Sequence, residues 1–244
     1  RRLGLGTRHD LPMSAVTEGL APDKQWKLAK YKKDWMIGDT LNAGIGQGYV
    51  LASPLQLAVM TARIASGRAV TPRLVRSIDG VEQPVADLQP LGIDADILHA
   101  VRGGMYEVSN SKRGTAFSSR IADDSVRMAG KTGTSQVRNI TAAERAAGVI
   151  SNDDLPWNRR DHALFVCFAP FDDPKVAVAV VVEHGGGGST AAAPIARDIL
   201  LQALFGGLPP LTAYPESQRS RIEAERQDLQ LLDPQEPANG KIRA

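Results

Sequence analysis

Residues 128–137, MAGKTGTSQV, are the part of the sequence whose types and spacing could do chemistry. They contain Gly-Lys-Thr, which ends a phosphate-binding loop, and Lys-Thr-Gly-Thr, which occurs in serine acyl-transfer sites. A phosphate-binding loop needs a glycine where Ser125 stands, five residues before Gly130, and a helix that begins at Lys131. Threonines, a glycine and a serine follow Lys131 instead, and these are poor helix formers. We therefore predict a strand that carries an exposed Lys-Thr-Gly.

A serine acyl-transfer site also needs its nucleophile, a serine followed three residues later by a lysine on the same helical face. One match exists, Ser109 followed by Lys112. A catalytic pair of this kind begins a helix inside a sheltered core, where the lysine can accept a proton. The stretch SNSKRGTAF is instead typical of the polar exit of a helix. We therefore reject Ser109 as the nucleophile, and no convincing Ser-x-Asn or Ser-x-Asp companion precedes Lys131.

Other candidates for chemistry favour structural roles. Asp161 and His162 are adjacent, so in a strand they point to opposite faces, and no Gly-x-Ser-x-Gly turn accompanies them. We interpret His184 and the glycines after it as a turn, with Ser189 or Thr190 capping the last helix. The four histidines and the single cysteine are scattered, which predicts no metal site, no cofactor and no disulfide within the chain.

The composition indicates a globular chain that buries one sizeable core. It has 244 residues, 43% of them hydrophobic, and its formal net charge of +2 is too small to argue for nucleic acid as a partner. The main basic run, residues 24–33, is predicted to be a solvated helix face with Trp26 and Tyr31 turned toward the body. Cys167 lies in an apolar run and is predicted to be buried. No stretch of the sequence is long and apolar enough to span a bilayer.

The elements that must position these residues follow from periodicity and turn signals. A helix is predicted between Ser53, as its cap, and Gly67, and a second helix over 94–110, capped by Asp94. Strands follow at 126–137 and in HALFVCFAP and KVAVAVVVEHG, the last two joined by FDDP as an antiparallel hairpin. A final helix is predicted over 190–205. This order indicates an α+β fold in which helices pack on the faces of an antiparallel sheet.

Several motifs occur together in the order and spacing of one known family. They are NAGIGQGYVLASPLQLA, GGMYEV with the later GTA, MAGKTGTSQV, RDHALFVCFAP and KVAVAVVVEHGG. The chain resembles the C-terminal half of a class B penicillin-binding protein transpeptidase domain, and DWMIGDT and the hairpin most resemble penicillin-binding protein 2. The resemblance covers residues 1–207 and implies the fold shared by these transpeptidases and serine β-lactamases, here as an incomplete C-terminal portion. Residues 208–244 carry none of it, and we predict that they form a polar, disordered tail.

The resemblance implies D,D-transpeptidation, in which a serine attacks the D-Ala-D-Ala bond of a peptidoglycan stem peptide and β-lactams acylate the same serine. Carried over by motif, Lys131 is the lysine beside the nucleophile, and Thr132 and Thr134 offer hydroxyls to the terminal carboxylate of the substrate. The Thr134 N–H would be one donor of the oxyanion hole. Gly133 leaves room for the peptide along the strand, and the main chain of Ser135 could pair with it.

The same resemblance implies parts that the sequence does not contain. In the family, the nucleophile motif and the Ser-x-Asn-type motif precede the segment that matches Arg1, as do a membrane anchor and a region that meets a glycosyltransferase. We expect a parent protein in the bacterial periplasm, held at the inner membrane by an N-terminal helix, with an elongation glycosyltransferase and cell-shape proteins as partners. Asp39, Asn42 and GIGQGY are predicted to form a loop near the site. Two alternatives stay open: a non-catalytic β-lactam sensor on the same fold, and the nucleotide-binding loop considered first.

Overall fold

The computed structural model describes residues 1–85 and 87–228, and these residues form seven α-helices and two antiparallel sheets. The helices are α1 (Lys24–Tyr31), α2 (Ile37–Gly44), α3 (Pro54–Ser66), α4 (Ala95–Asn110), α5 (Ala142–Ala147), α6 (Ala193–Phe205) and α7 (Glu216–Asp228). The strands are β1 (Ser77–Ile78), β2 (Val81–Glu82), β3 (Ala129–Ser135), β4 (His162–Ala169) and β5 (Val176–Val182). The predicted α+β class is confirmed. Across the described residues, no helix combines the length and the apolar character that a membrane crossing requires.

The larger sheet has the strand order β3-β4-β5, and both pairs are antiparallel. β4 lies in the centre, where both of its faces are covered, in agreement with its nearly continuous apolar sequence. β3 pairs with β4 over its whole length, from Ala129 opposite Phe168 to Ser135 opposite His162. Within the described residues, β3 is therefore an edge strand of this sheet, and one side of its main chain is not paired with another strand.

Side chains alternate between the two faces of β4, and each face meets a different layer of helices. Phe165 and Cys167 belong to a core cluster with Leu200 of α6. On the other face, Phe168 packs in a smaller cluster with Ile64 of α3 and Met105 of α4. Cys167 is buried as predicted, and this burial raises the pKa of its thiol. The sheet is thus held between α6 on one side and α3 with α4 on the other.

The ends of α3 and α4 confirm the capping signals in the sequence. The Ser53 hydroxyl accepts a hydrogen bond from the Gln56 N–H, and the Gln56 side chain accepts one from the Ser53 N–H, so two otherwise unpaired donors are satisfied. Gly67 ends α3 with a φ of 68°, in the left-handed region that favours glycine. The Asp94 carboxylate accepts a hydrogen bond from the Asp96 N–H at the start of α4.

The start of α6 differs from the predicted cap at Ser189 or Thr190. One π-helical turn, Gly188–Ala192, precedes α6, and no side chain caps the helix. Position 188 requires glycine, because a Cβ there would lie 2.3 Å from the Leu164 carbonyl oxygen and 2.7 Å from that of Gly133. The turn therefore packs directly on the backbone of β3 and β4.

Residues 208–228 differ from the disordered tail that their polar composition predicts. Ala213, Tyr214 and Ile222 are buried in the same core cluster as α6, and the segment ends in α7. A few apolar contacts at the right positions are enough to dock a helix whose other residues are charged, and a composition average does not detect them. Residues 229–244 of the predicted tail lie outside the described residues.

The basic run in α1 differs in part from the predicted solvated face. Lys27 is buried and forms an ion pair with Asp39 of α2. The Trp26 ring meets the rings of Tyr31 and Tyr49 edge-on, with centroid distances of 5.7 and 5.2 Å. A lysine charge is buried at tolerable cost only beside a partner of opposite charge, and Asp39 provides it. This run therefore joins α1 to α2 and to the loop that follows.

Candidate functional site

The structure places all five predicted site residues on β3: Lys131, Thr132, Gly133, Thr134 and Ser135. Because side chains alternate along a strand, Lys131, Gly133 and Ser135 share the face that meets α3 and α4, and the two threonines share the opposite face. The backbone stays extended from Ala129 through Ser135, so no helix begins at Lys131. A phosphate-binding loop is therefore excluded at this position.

The main chain of Thr134 faces the open edge of β3. Its carbonyl oxygen accepts a hydrogen bond from Gln47 Nε2 at 3.0 Å, which means that this carbonyl points away from β4. In an antiparallel pair the N–H and the C=O of one residue point to the same side, so the Thr134 N–H also faces the open edge. An edge of this kind can pair with an extended peptide, and an outward N–H can stabilise an oxyanion.

The amine of Lys131 lies at the same edge. The side chain is exposed, and its Nζ donates a hydrogen bond to the Thr132 carbonyl at 2.7 Å. Thr132 is two residues from Thr134, so its main chain also faces away from β4. In the part of the chain that the structure describes, Lys131 takes part in no ion pair. Its positive charge is therefore available to a group that lies along β3.

Thr115 is a site residue that the sequence reasoning missed. Its hydroxyl lies 3.1 Å from the Thr132 hydroxyl, which fixes the side chain of one predicted substrate-binding residue. Gly114 allows this approach, because a Cβ there would lie 2.3 Å from the carbonyl oxygens of Glu107 and Val108 at the end of α4. The only available signal was the Gly-Thr-Ala that follows α4, a motif to which no role was assigned.

Gln47 is the second missed residue. It lies between Gly46 and Gly48, whose φ angles of 75° and 73° let the chain after α2 turn toward β3. The predicted loop is correct for this stretch, but Asp39 and Asn42 lie within α2 and not in the loop. Hydrogen bonds from the Lys27 amine and the Met36 N–H hold the pKa of Asp39 below its usual value. The ion pair thereby fixes α2 to α1, and this fixes the position at which the loop that carries Gln47 begins.

A cavity of about 300 Å³ opens beside the outer end of β3. Its walls are mostly apolar and come from the loop after α2, from α3 and from β4, with main-chain and hydroxyl groups of β3 on one side. The lining includes Ile45, Gln47, Leu57, Met60, Leu164 and residues 133–135. A concave apolar space with a few polar groups at one wall is the usual form of a binding site.

Ser109 cannot act as the nucleophile of this site. Its side chain is fully buried in the last turn of α4, and its hydroxyl has no hydrogen-bond partner. Lys112 is exposed and follows the end of the helix, so the two side chains do not share a helical face. The predicted helix exit is confirmed, and the burial of Ser109 supports the rejection of this pair.

Asp161 and His162 have structural roles, as predicted. The Asp161 carboxylate accepts a hydrogen bond from the Val137 N–H at 3.3 Å, and the Asp161 N–H donates to Asn152 Oδ1 at 2.9 Å. His162 Nδ1 accepts a hydrogen bond from the His184 N–H at 2.9 Å. These contacts fasten the chain that leaves β3. Among the described residues, no group of three or more histidine, cysteine or acidic side chains is arranged to hold a metal ion.

Comparison with known proteins shows which family this chain resembles. The family model for the penicillin-binding protein transpeptidase domain matches residues 1–201. The peptidoglycan D,D-transpeptidase MrdA of Haemophilus influenzae is 36% identical over 237 residues, which cover 93% of this chain and 35% of that protein. The solved structure of PBP2 from Pseudomonas aeruginosa in complex with WCK 5153 has a TM-score of 0.66 and 36% identity, and covers 88% of this chain and 45% of that one.

A third relative is PBP2 of Helicobacter pylori, solved in complex with MreC, with a TM-score of 0.66 and 33% identity over 84% of this chain and 34% of that one. The chain spans about a third of the length of the curated relatives it matches. The resemblance to penicillin-binding protein 2 read from the motifs is confirmed, and so is the transpeptidase fold. This chain belongs to the penicillin-binding protein transpeptidase domain family.

Proposed function

We propose that this chain is part of a peptidoglycan D,D-transpeptidase of the penicillin-binding protein 2 type, with residues 1–207 forming the C-terminal part of its transpeptidase domain. The parent protein would cross-link stem peptides during cell-wall elongation, and β-lactams would acylate it. The observation that carries the proposal is the open edge of β3, where the outward main chain of Thr134 and the Lys131 amine lie together. Relatives at 33% to 36% identity that bear this activity in their names support it.

In this proposal the stem peptide lies along β3 as an added strand. A serine oxygen attacks the carbonyl carbon of the D-Ala-D-Ala bond, the terminal D-alanine leaves, and an amine of a neighbouring stem peptide then takes the acyl group and releases the serine. The Thr134 N–H donates to the oxyanion that forms during both steps. The Lys131 amine stabilises negative charge beside the nucleophile and assists proton transfer.

The remaining predicted residues would bind the substrate. The hydroxyls of Thr132 and Thr134 lie on the same face of β3 and bind the terminal carboxylate, with Thr132 oriented by Thr115. Gly133 keeps the strand free of a side chain on the opposite face, and the Ser135 main chain extends the pairing with the peptide. Gln47, which now occupies the Thr134 carbonyl, would give way to a main-chain N–H of the substrate.

We propose that the nucleophilic serine comes from a part of the protein outside these 244 residues. The cavity beside residues 133–135 supports this, because it touches the wall where the oxyanion donor lies and its other walls are apolar enough to receive side chains of a helix that packs over it. A serine on such a helix would approach β3 from the face that Lys131 occupies. Two of the three catalytic motifs of the family would then lie outside this chain.

Partners and location belong to the same proposal. The H. pylori relative is solved with MreC, and a relative with 34% identity is solved in a peptidoglycan synthase complex that coordinates polymerization and crosslinking. We propose that the parent protein works with a cell-shape protein and an elongation glycosyltransferase in the bacterial periplasm. Its attachment to the inner membrane would use a segment outside this chain.

Labelling of the complete protein with a fluorescent penicillin, followed by mass spectrometry of its peptides, tests the function. We expect one adduct per molecule, on a serine outside these 244 residues, and release of D-alanine from a stem-peptide substrate. A labelled serine without any release of D-alanine would identify a sensor instead of a transpeptidase. An adduct on Ser109 would contradict the assignment of the site.

A further inference from the structure

Besides its apolar contacts with the core, the C-terminal segment, residues 208–228, is joined to two other parts of the molecule by one glutamine of α7. The Oε1 atom of Gln218 accepts a hydrogen bond from Arg197 Nη1 at 2.6 Å, and its Nε2 atom donates one to the Ser118 carbonyl, also at 2.6 Å. Gln218 thus bridges α6 and the chain that leads into β3. The two bonds use opposite ends of the same amide group.

The buried charge of Arg197 fixes the orientation of that amide. Arg197 is 1% exposed, and its guanidinium lies 4.7 Å from the centre of the Tyr214 ring. Its one ion pair in the described part of the chain is with Asp198, whose side chain is 52% exposed. A guanidinium has only donors, so a buried one must be given acceptors, and the Gln218 oxygen is one of them. The Gln218 nitrogen is therefore directed at Ser118.

Ser118 belongs to the same compact turn as Thr115. We call residues 114–120 the Thr115 turn; successive backbone hydrogen bonds from Phe117 to Gly114, from Ser119 to Ala116 and from Arg120 to Phe117 make it one unit. The Thr115 hydroxyl at one side of the turn meets Thr132 on β3 at 3.1 Å. The Ser118 carbonyl at the other side is held by α7. A change at Gln218 can therefore reach the candidate site through a single unit of backbone.

We propose that Gln218 is a positioning residue of the acyl-transfer site, which holds the Thr115 turn against β3 so that the Thr132 hydroxyl faces the terminal carboxylate of the substrate. The chemistry in this inference rests on the proposed function. The inference goes further by giving residues 208–228 a part in the site, although the family model ends at residue 201. A second bond supports it, from the Ala122 N–H to the Ala213 carbonyl at 2.8 Å.

The substitution Gln218→Glu in the complete protein removes one of the two hydrogen bonds of this side chain and keeps the other. The carboxylate still accepts from Arg197, but it has no hydrogen to donate to the Ser118 carbonyl. We expect acylation by penicillin to slow by about 3- to 10-fold, the effect of one lost hydrogen bond. The amides of the Thr115 turn should exchange hydrogen faster, while the melting temperature stays close to that of the unchanged protein. Gln227→Glu, at an exposed position of the same helix, is the matched control and should alter none of these values.

A double-mutant cycle shows whether Gln218 acts through Thr115. In a Thr115→Val background we expect Gln218→Glu to change acylation by less than about twofold, because the two residues belong to one chain of contacts. The inference would be overturned if the double variant lost acylation rate by the product of the two single losses. It would also be overturned if the amides of the Thr115 turn exchanged hydrogen equally fast in the Gln218 and Gln227 variants. If Gln218→Glu does not fold, Gln218→Ala is measured in the same way. A complete protein that takes up no penicillin would contradict the proposed function, while the exchange experiment still tests the contact.

Discussion

The residues of the site are held mainly by backbone groups. The Lys131 amine donates a hydrogen bond to the Thr132 carbonyl of its own strand. The Gln47 amide donates one to the next outward carbonyl, that of Thr134. Both acceptors are therefore occupied by side chains of the same molecule before a substrate arrives. A peptide that adds to β3 has to replace these contacts with its own, so each contact affects how readily the edge accepts a ligand.

Lys131→Ala in the complete protein should lower the rate of acylation by penicillin at least about 10²-fold, because an alanine can neither stabilise charge nor relay a proton. Lys131→Arg should restore little activity, since the planar guanidinium presents its donors in a different geometry. Stopped-time labelling with a fluorescent penicillin measures both rates. Lys175→Ala, on the exposed turn between β4 and β5, is the control. Unchanged labelling of the alanine variant would reject the role of Lys131.

Gln47→Ala should make acylation faster at low penicillin concentration, by up to about tenfold, because one competitor for the Thr134 carbonyl is removed. The maximal rate at saturation should stay the same, since Gln47 has no part in the bond changes. Gln25→Ala, at an exposed position of α1, serves as the control. A slower reaction in the Gln47 variant would show that this side chain supports the strand and does not compete with the ligand.

The sequence motif was sufficient to predict that Lys131 and the four residues after it lie on one strand, because a motif of that kind is local. Gln47 and Thr115 were missed for a physical reason: their partners, Thr134 and Thr132, are 87 and 17 positions away in the chain. Local patterns contain no information about which distant residues a fold brings together. The glycines on both sides of Gln47 indicated a turn, but they did not indicate that the turn would contact Thr134.

At the scale of elements, close backbone packing determines where β3 lies. Gly130 faces the ring of Phe165, and a Cβ on Gly130 would lie 2.5 Å from that ring and 2.8 Å from the Val166 carbonyl oxygen. Gly188 makes a similar approach to the other end of the strand. β3 is therefore placed by two glycines, one within the strand and one in the π-helical turn that covers it.

Gly130→Ala should lower the free energy of unfolding by about 1–3 kcal/mol, because the added methyl group forces the ring and the strand apart. Gly104→Ala is the matched control: a Cβ there meets no other atom within 4 Å, and alanine is the better helix former by about 1 kcal/mol. The free energy of unfolding, measured with denaturant, should therefore fall for Gly130→Ala and rise for Gly104→Ala. Equal stability of the two would contradict the packing argument.

The ion pair between α1 and α2 should make stability depend on pH. The Lys27 amine and the Met36 N–H lower the pKa of Asp39, so this carboxylate stabilises the folded state above its unfolded pKa of about 4, and the effect is lost as pH falls through the lower folded value. Asp39→Asn should remove this part of the acid destabilisation. Unfolding measured from neutral pH down to about pH 3, with Asp34→Asn on the exposed loop as control, shows the difference.

Helices with strong local signals were predictable from the sequence, and helices that depend on docking were not. α3 and α4 carry capping residues and apolar periodicity, and both were located correctly. α2 and α7 lack a comparable signal: α2 is short and ends in glycine, and α7 is highly charged with Ile222 as its buried residue. The Lys27 ion pair stabilises α2, and the burial of Ile222 together with the contact between Arg197 and Gln218 stabilises α7; all of these contacts join distant parts of the chain.

At the scale of the whole molecule, α2 and its flanks present apolar side chains to solvent. Exposed fractions reach 80% for Ile37, 67% for Leu41 and 75% for Ile45, and Met36 is 64% exposed. These residues lie close together in sequence, with Ile37, Leu41 and Ile45 at helical spacing, so they form one surface. Apolar surfaces of this kind usually have a partner.

We expect the 244-residue chain to associate with itself when it is expressed alone, because this surface and the cavity beside β3 have no cover within the described residues. Leu41→Gln with Ile45→Gln should increase the fraction of monomer measured by sedimentation velocity. Co-expression with the part of the parent protein that is proposed to carry the nucleophilic serine should have the same effect on the unchanged chain. A monodisperse monomer at micromolar concentration would contradict this expectation.

The open edge of β3 could also pair with the same edge of another copy and cause aggregation. A row of outward N–H and C=O groups that can pair with an extended peptide can equally pair with a strand from another copy of the chain, which is how sheets grow into aggregates. Native proteins commonly protect such edges with lysine, and here the Lys131 amine lies on the edge while Gln47 occupies one of its acceptors. Two copies brought edge to edge would set two lysine charges against each other, whereas a ligand that ends in a carboxylate meets attraction. The same side chain would thus admit short acidic peptides and repel other strands, so the edge can stay open in a crowded compartment.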